Sequence, residues 1–411
     1  MDFSTFDLDP RLKAGISAAG YTVPTPIQVA AIPAVLAGSD VMGMAQTGTG
    51  KTAAFVLPIL HRLLPGPRGH VRALIIAPTR ELAEQIRGEC ERLAARSRLR
   101  CVAVYGGVPK DAQTRALRRG AEIVVACPGR LLDLDGDGYV DLSHVETLVL
   151  DEADRLCDMG FLPDVRRILA RVPAERQTLF FSATMPVDIR SLAAQILRDP
   201  VTVQVDAAAP ATTVSHAIYP TTDHLRTDLL LAMVEMLPPG RVLIFTRTKF
   251  RARTLARALE RHGHSVSELQ GNMTQNRRQA AMDGFRSGRY EILVATDIAA
   301  RGIDVADIRH VINFDMPDCV DAYTHRIGRT GRALQTGAAF SLAAGEDAGV
   351  IRQIEQVLGE RIERRRLDEF DYGVFNPDRA LRPGGFSPIN GFGGGRRRAP
   401  ARRGRLVGAR R

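Results

Sequence analysis

A glycine-rich loop at residues 45–52, with the sequence AQTGTGKT, has the residue types needed to hold a polyphosphate. It lies between an apolar run and a run with helical character, so backbone N–H groups and the helix dipole can face an anion. Lys51 is then placed to reach the β and γ phosphates, and Thr52 to put its hydroxyl on Mg²⁺. Ala45 stands where a glycine is usual. We predict a nucleotide-binding loop; the alternative is a Gly/Thr-rich turn at a helix start.

An acidic pair, Asp151 and Glu152, follows an apolar run about a hundred residues after the loop. This is where the second acidic element of a phosphate-loop NTPase is expected. Asp151 would hold Mg²⁺ through water, and Glu152 would polarise the attacking water. An isolated acidic pair is usually a solvated turn. The strand-end position, together with Lys51 and Thr52, favours the hydrolytic interpretation.

Two arginines in the second half of the chain could complete a hydrolytic site. Phosphoryl transfer needs positive charge at the γ-phosphate, and an arginine from another element can raise the rate about 10³- to 10⁵-fold. Arg329 and Arg332 could present two guanidinium groups from one helical face. Because Lys51 lies in the first half, hydrolysis would require the two halves to close. We therefore expect triphosphate binding to switch the protein between open and closed arrangements.

The elements that must position these residues alternate between apolar runs and amphipathic stretches. Uninterrupted apolar runs suit strands buried on both faces, so the alternation predicts an α/β fold with parallel sheets. The runs lie at residues 41–44, 73–76, 101–104, 123–126, 148–150, 179–181, 242–245, 292–295 and 311–314. Ligands gather at the carboxyl ends of such strands, so the small and polar clusters that follow the runs should share one edge with the phosphate loop.

Composition indicates a globular chain of two or three domains, with 411 residues, 45% hydrophobic and 25% charged. A composition shift after residue 206 predicts a linker. We predict domains at residues 1–206 and 214–368, a linker at residues 207–213 and a tail at residues 369–411. No apolar run reaches the roughly 18 residues of a membrane helix, and the acidic start is unlike a signal peptide, so a cytoplasmic location is expected. Five scattered cysteines suggest neither a zinc site nor a disulfide framework.

Most of the net charge of +10 comes from the tail, which carries ten arginines against three acidic residues. Its Gly/Arg-rich end cannot bury enough apolar surface to fold alone, so we predict that the tail is largely disordered. It would hold structured nucleic acid through phosphate contacts. The alternative is a tail that only improves solubility.

Residues 20–28, GYTVPTPIQ, contain two prolines that favour an extended or turning segment before a helix. Gln28 could read the N6/N7 edge of adenine, because its side chain has both a donor and an acceptor. From this residue alone, we favour the alternative that Gln28 is a polar residue at a helix start.

These motifs resemble those of the DEAD-box RNA helicases of helicase superfamily 2, in the family's order from Phe3 to Arg332. In overall form the chain is similar to short bacterial RhlE-like members. The matching segments are residues 20–28 (Q motif), 45–52 (I), 78–82 (Ia), 106–107 (glycine pair), 127–130 (Ib), 151–154 (II), 182–184 (III), 243–248 (IV), 275–278 (Q-x-x-R), 295–304 (V) and 325–332 (VI). The resemblance implies two tandem RecA-like domains and RNA-stimulated ATP hydrolysis. Domain closure would bend the bound strand and unwind short duplexes locally, without processive tracking.

The resemblance also implies roles for residues at matching positions. The implied nucleotide site consists of Phe3, Tyr21, Gln28, Thr47, Gly48, Thr49, Gly50, Lys51, Thr52, Gly302 and Asp304. Phe3 and Gln28 would select adenine, and Asp304 would reach the ribose. The implied catalytic residues are Lys51, Asp151, Glu152, Ser182, Thr184, His325, Arg329 and Arg332, with Thr52 and Asp151 at the metal. The implied RNA contacts are Pro78, Thr79, Arg80, Gly106, Gly107, Gly129, Arg130, Thr246, Arg247, Arg278 and Thr296.

Backbone N–H groups and arginines read a single strand without reading its sequence, so the core should bind single-stranded and duplex RNA of any sequence. Ribosomal precursors or RNA-decay proteins are candidate partners, no membrane partner is expected, and we expect a monomer. Cys127 and Leu334 depart from the family's usual threonine and glycine, and Cys127 should weaken RNA binding only modestly. Two alternatives are an ATP-gated RNA clamp with little unwinding, and a DNA helicase of the same superfamily. Intact Glu152 and Arg329 argue against a pure clamp.

Overall fold

The computed structural model describes residues 2–45, 49–205, 214–300, 305, 308–331 and 337–377. These residues form two seven-stranded sheets, one in each half of the chain, and the strand pairs are parallel. The prediction of an α/β protein with two tandem parallel-sheet domains is therefore confirmed. The predicted linker, residues 207–213, lies outside the described residues.

The first sheet is built from short apolar strands separated by helices. The strands are β1 (Val41–Met44), β2 (Ala73–Ile76), β3 (Cys101–Val104), β4 (Ile123–Ala126), β5 (Thr147–Leu150), β6 (Gln177–Ser182) and β7 (Val201–Gln204), in the order β3-β4-β2-β5-β6-β1-β7. The helices are α1 (Pro10–Ala18), α2 (Pro26–Leu36), α3 (Lys51–Leu63), α4 (Arg80–Leu93), α5 (Lys110–Arg118), α6 (Pro128–Gly136), α7 (Ala153–Asp158), α8 (Leu162–Leu169) and α9 (Val187–Ile196). A 3₁₀ turn, Phe3–Thr5, precedes α1.

Strand β2 shows why the apolar runs are uninterrupted. Ala73 and Ile75 belong to a core cluster that includes α3 and α4, whereas Leu74 and Ile76 belong to a second cluster that includes α6 and α8. Successive side chains of a strand point to opposite faces, so a sheet covered on both faces needs apolar residues at every position.

The second sheet repeats this design. Its strands are β8 (Val214–Pro220), β9 (Arg241–Thr246), β10 (Val266–Leu269), β11 (Ile292–Thr296), β12 (Ile308–Asn313), β13 (Gly337–Ala343) and β14 (Glu363–Arg364), in the order β10-β11-β9-β12-β13-β8-β14. The helices are α10 (Arg226–Met236), α11 (Lys249–Arg261), α12 (Gln275–Arg286), α13 (Asp297–Ala300), α14 (Val320–Ile327) and α15 (Ala348–Leu358). In the described part of the chain, no helix combines the length and apolarity needed to cross a bilayer.

The second domain extends beyond residue 368, after which we predicted the tail to begin. Tyr372 is 9% exposed and belongs to a core cluster of the second domain with Leu367, and its hydroxyl accepts a hydrogen bond from the Leu367 N–H at 3.0 Å. The Tyr372 ring also packs edge-on against Phe370, at 4.9 Å between centroids. Residues 369–377 therefore belong with the second domain. Residues 378–411 lie outside the described residues.

Candidate active site

The phosphate loop connects β1 to α3, as the sequence predicts. Gly50 is the residue before α3 and has a φ of +92°, in the left-handed region that glycine adopts without penalty. A Cβ at Gly50 would also lie only 2.6 Å from Nε2 of Gln28. Glycine is therefore required at this position both by the backbone conformation and by the available space.

Lys51 begins α3 and its side chain is 6% exposed. Its ammonium donates a hydrogen bond to the carbonyl oxygen of Ala45, at 2.7 Å, so the side chain crosses the mouth of its own loop. Desolvating an ammonium is costly unless it is hydrogen-bonded, and the Ala45 carbonyl offsets part of that cost. The contact keeps the Lys51 charge within the loop.

Gln28 contacts Gly50 of the phosphate loop and also helps to start α2. Its Oε1 accepts from the Thr25 N–H at 2.9 Å, and its Nε2 donates to the Gly50 carbonyl at 3.1 Å. These bonds use one of two amide donors and one of two acceptor lone pairs. The helix-start interpretation of Gln28 is therefore correct as far as it goes, but the same side chain also contacts the nucleotide loop.

The two aromatic residues assigned to the nucleotide site pack against each other. The Phe3 ring is 5% exposed and lies edge-on to Phe6 and Tyr21, at 5.9 and 5.8 Å between centroids. The Tyr21 hydroxyl donates to Oε1 of Glu89 at 2.7 Å. Phe3 is thus part of the domain core in this conformation, which leaves little of its ring available to stack on a base.

The acidic pair lies at the carboxyl end of β5, and both residues are buried. Asp151 and Glu152 are 2% and 3% exposed. Burial raises the pKa of Asp151 to about 6, and the charge of nearby Lys51 opposes that rise. Glu152 has a φ of +50°, an uncommon conformation for a residue with a side chain and one that concentrates at functional sites. Its Oε2 accepts a hydrogen bond from Nη1 of Arg155 at 2.8 Å.

Ser182, the last residue of β6, and Thr184 just beyond it are hydrogen-bonded to the acidic segment. The Thr184 N–H and hydroxyl both donate to Oδ2 of Asp154, at 2.9 and 3.0 Å. The Asp154 N–H donates to Oγ of Ser182 at 3.1 Å, and the Ser182 hydroxyl donates to the Thr184 carbonyl at 2.7 Å. A displacement of the Ser182 segment would therefore also move Asp154, which lies two residues from Glu152.

The two domains meet at the acidic segment. A cavity of about 40 Å³ is lined by Arg155 of the first domain and by residues of the second domain. Those second-domain residues are Phe245, Asp297, Ala300, Ala322, His325, Arg326 and Arg329. Arg329 is 4% exposed, and its Nε donates to the His325 carbonyl at 3.3 Å. The structure thus brings His325 and Arg329 to the same cleft as the Glu152–Arg155 pair.

Arg326 is a central residue of this cleft that we did not predict. It forms two bonds to the Asp297 carboxylate, at 2.6 and 2.7 Å, and donates to the Asn313 side chain and the Asp315 carbonyl. Its guanidinium lies 5.1 Å from the Phe245 ring centroid. The signal in the sequence was weak, because Asp297 directly follows a buried strand but its side chain is 35% exposed and does not require a cationic partner.

The residues assigned to RNA in the first domain lie at the carboxyl ends of their strands. Thr79 caps α4 by accepting from the Leu82 N–H at 3.3 Å. Gly107 has a φ of +79° and lies against the Arg80 guanidinium. Arg130, at the start of α6, donates to the Val108 carbonyl from both terminal nitrogens, at 3.2 Å each.

Two of the predicted RNA contacts instead join the domains in this conformation. Arg278 of α12 makes two hydrogen bonds to Oε1 of Glu81 in α4, at 2.8 and 2.6 Å. Arg80 donates to Oε1 of Gln275 at 3.2 Å. The sequence does not reveal these pairings, because the partners are almost 200 residues apart.

The second-domain residues assigned to RNA differ in accessibility. Thr246 is fully buried, and its hydroxyl donates to the Thr248 carbonyl at 3.3 Å. Thr296 is 8% exposed, whereas the Arg247 side chain is about half exposed, at 47%. Arg247 is therefore the most accessible of the three for a phosphate.

Cys127 caps the start of α6 and is buried in the core, 8% exposed, where desolvation raises the pKa of its thiol to about 12. The predicted loss of an RNA-facing hydroxyl therefore concerns a buried position. Five of the predicted site residues lie outside the described residues. They are Thr47, Gly48, Gly302, Asp304 and Arg332.

Two parallel-sheet domains with a phosphate loop, a buried acidic pair and cleft arginines define a two-domain NTPase of helicase type. Residues 25–192 match the family described as "DEAD/DEAH box helicase", and residues 226–334 match "Helicase conserved C-terminal domain". The chain belongs to the DEAD-box family of ATP-dependent RNA helicases, which confirms the predicted family and enzyme class.

Named relatives and solved structures are similar to this chain over most of its length. The chain is 40% identical to the ATP-dependent RNA helicase CshA of Listeria monocytogenes over 90% of this chain and 71% of the relative. It is 44% identical to the RNA helicase CrhR of Synechocystis over 84% of this chain and 70% of the relative. S. cerevisiae Dbp5 bound to RNA and ADP BeF3 superposes with a TM-score of 0.80, at 30% identity, over 89% of this chain and 95% of Dbp5. A DEAD box protein from Methanococcus jannaschii gives 0.53, at 33% identity, over 89% and 99% of the two chains.

Proposed function

We propose that this helicase hydrolyses ATP in the cleft between its domains, and that closure of the cleft bends a bound RNA strand and releases short duplexes. The observation that carries this proposal is the cavity in which Arg155, bonded to Glu152, meets His325 and Arg329 of the other domain. A site shared in this way is complete only when the domains are together. ATP binding and domain closure would therefore be coupled.

The phosphate loop would bind the triphosphate by an exchange of partners. The Lys51 ammonium, now on the Ala45 carbonyl, would turn to the β and γ phosphates when ATP enters. Among the described residues, the bonds of Gln28 to Thr25 and Gly50 use one of its two amide donors and one of its two acceptor lone pairs, so the same amide could also contact the adenine edge. The nucleotide would thus be sensed by the residue that also supports Gly50.

Asp151 and Thr52 have the chemistry of a Mg²⁺ site. The Asp151 carboxylate is buried and its pKa is raised, so a nearby cation would stabilise the ionised form. Carboxylate and hydroxyl oxygens, completed by phosphate oxygens and water, are the ligands that Mg²⁺ prefers. When bound, the ion would neutralise charge on the phosphate oxygens.

Glu152 is the proposed general base. Its carboxylate accepts a hydrogen bond from the buried Arg155 guanidinium, which fixes the position from which it would accept a proton from water. Water attacks the γ-phosphorus, the bond to the β-γ bridging oxygen breaks, and the proton leaves toward Glu152. Arg329, with Arg332, would stabilise the charge that develops on the phosphoryl oxygens.

Ser182 and Thr184 would couple the nucleotide site to the proposed RNA-binding surface. Their three hydrogen bonds to Asp154 connect the end of β6 to the segment that carries Glu152. The proposed RNA contacts lie at the carboxyl ends of the same sheets, where N–H groups and arginines meet phosphates irrespective of base. We further propose that the protein is a cytoplasmic monomer similar to RhlE-like members, with ribosomal precursors or RNA-decay proteins as its partners.

The test is ATPase activity with single-stranded RNA or DNA of matched sequence, for the wild type and for Glu152→Gln. We expect strong stimulation by RNA and little by DNA. Glu152→Gln should still bind ATP and RNA but hydrolyse at least about 100-fold more slowly. Equal stimulation by both nucleic acids would favour a DNA helicase. If repeated duplex release were as fast with a non-hydrolysable ATP analogue as with ATP, the proposed coupling of hydrolysis to unwinding would be refuted.

A further inference from the structure

The first turn of α11 carries an exposed aromatic ring. Phe250 is 76% exposed, and the other large apolar side chains that are exposed in the described residues are valines or a methionine. The chain has no tryptophan, and aromatic residues make up only 5% of it. Single exposed apolar residues are common and need no explanation by themselves. The position of Phe250 and the charges around it indicate that its exposed ring belongs to a binding surface.

Phe250 lies at the edge of the sheet where the proposed RNA contacts are. Strand β9 ends at Thr246, and Thr248 caps α11 by accepting from the Arg251 N–H at 3.2 Å. Phe250 is therefore in the first turn of the helix that leaves the carboxyl end of β9. Arg247, the accessible member of the proposed second-domain contacts, is three residues away and about half exposed.

The helix that carries Phe250 is strongly basic. Its thirteen residues include five cations and a single acid, Glu260. The exposed stripe along α11 includes Phe250, Arg253, Thr254 and Arg257, which have helical spacing, and it continues to Glu260 and Arg261 at the far end of the helix. The Lys249 ammonium donates to the neutral Asn272 amide oxygen at 3.1 Å, which leaves its charge for other partners.

Acidic groups near this surface neutralise only part of the charge. Glu268 lies 3.8 Å from Nε of Arg253, and Asp318 lies 3.4 Å from the Arg247 guanidinium. Arg251 is bonded to the buried Asp315. Ion pairs between exposed groups are weak, so Arg247 and Arg253 can exchange their carboxylates for phosphates at little cost.

We propose that the first turn of α11 is a base-stacking platform for single-stranded RNA: Phe250 stacks on one base of the strand beyond Arg247, while Lys249 and Arg253 contact its flanking phosphates. An aromatic face accepts any base, and adjoining cations hold the backbone, which is the combination used by proteins that bind single strands without sequence preference. A basic helix face also favours RNA over an apolar peptide as the occupant. This inference rests on the proposed RNA function and adds a contact to its path.

The test compares Phe250→Ala and Phe250→Leu with the wild type, and uses Val357→Ala, an exposed apolar residue of α15, as the matched control. Affinity is measured with a non-hydrolysable ATP analogue and oligoribonucleotides lengthened one nucleotide at a time. 2-Aminopurine, placed at each position in turn, reports stacking by its fluorescence quenching.

We expect both Phe250 variants to lose about 5- to 10-fold in affinity for longer RNAs and to lose quenching at one position. They should match the wild type on the shortest RNA that stimulates ATPase activity, and Val357→Ala should match it throughout. Unchanged affinity and quenching in Phe250→Ala would overturn the platform, as would full activity of Phe250→Leu, since leucine has no aromatic face. Absence of RNA-stimulated ATPase activity in the wild type would instead refute the proposed function itself.

Discussion

The ion pair between Glu81 and Arg278 should control domain closure. Arg278 places two nitrogens on one oxygen of Glu81, at 2.8 and 2.6 Å, and joins α4 of the first domain to α12 of the second. The two side chains are only 9% and 12% exposed. The perturbation we choose is Glu81→Gln, which keeps the size of the side chain and removes its charge.

The expected magnitude follows from burial. Removing one partner of a buried, hydrogen-bonded charge pair across an interface costs about 2 to 5 kcal/mol, mostly because the other charge stays buried and unpaired. Arg278 regains water when the domains separate, so the full cost falls on the closed form. We take the lower end, about 2 kcal/mol, which lowers the equilibrium constant for closure about 30-fold.

The assay is RNA affinity measured with and without a non-hydrolysable ATP analogue. Glu81→Gln should weaken RNA binding about 30-fold with the analogue and much less without it. The exchange Glu81→Arg with Arg278→Glu should recover part of the loss, and Arg277→Gln, a neighbouring exposed arginine, should have little effect. If Arg278 instead serves RNA directly, Glu81→Gln would release it and leave RNA binding unchanged or tighter, which would refute the reasoning.

Three further predictions concern the buried carboxylate, the tail and Cys127. Burial raises the pKa of Asp151 to about 6, so the folded protein binds more protons than the unfolded chain between about pH 4 and 6, and stability falls as pH rises through that window. Asp151→Asn should therefore raise the free energy of unfolding by about 1 to 3 kcal/mol at pH 8, seen as a higher Tm, with little gain at pH 4, and it should abolish hydrolysis. An equal gain at both pH values would contradict this prediction. A chain ending at Pro377 should keep its ATPase activity and Tm but bind RNA more weakly and with a shallower salt dependence. A chain ending at Asp368 should also unfold at a lower temperature, because it lacks Tyr372. Equal RNA affinities and salt slopes with and without residues 378–411 would refute the proposal that the tail binds RNA. Cys127→Thr should change RNA affinity less than tenfold in a filter-binding assay, because the side chain is buried.

The central strands could be predicted because they are buried on both faces. Residues such as those of β2, β4 and β5 read as continuous apolar runs, and the small or polar residues after them mark the carboxyl edge of the sheet. The edge strand β3 was also predicted, but β7, β8, β10, β13 and β14 were not. Strand β7, with the burial of one residue in four, and β10, which contains Glu268, have no such run.

The local parts of the site could also be predicted, since the phosphate loop and the acidic pair depend on residues close together in sequence. The pairings across the cleft could not. Arg278 with Glu81, and Arg80 with Gln275, depend on which surfaces the two domains present to each other. The burial of Phe3 likewise depends on Tyr21, which the chain brings back only after α1.

The most direct test of the account is the distance between the domains, measured by single-molecule fluorescence energy transfer between dyes on α5 and α15. We expect a separated population in the protein alone, and a shift to a closed population when ATP analogue and oligoribonucleotide are added together. Glu152→Gln should stay closed with ATP itself. An unchanged distance distribution in all of these conditions would contradict the claim that nucleotide and RNA act by bringing the two domains together.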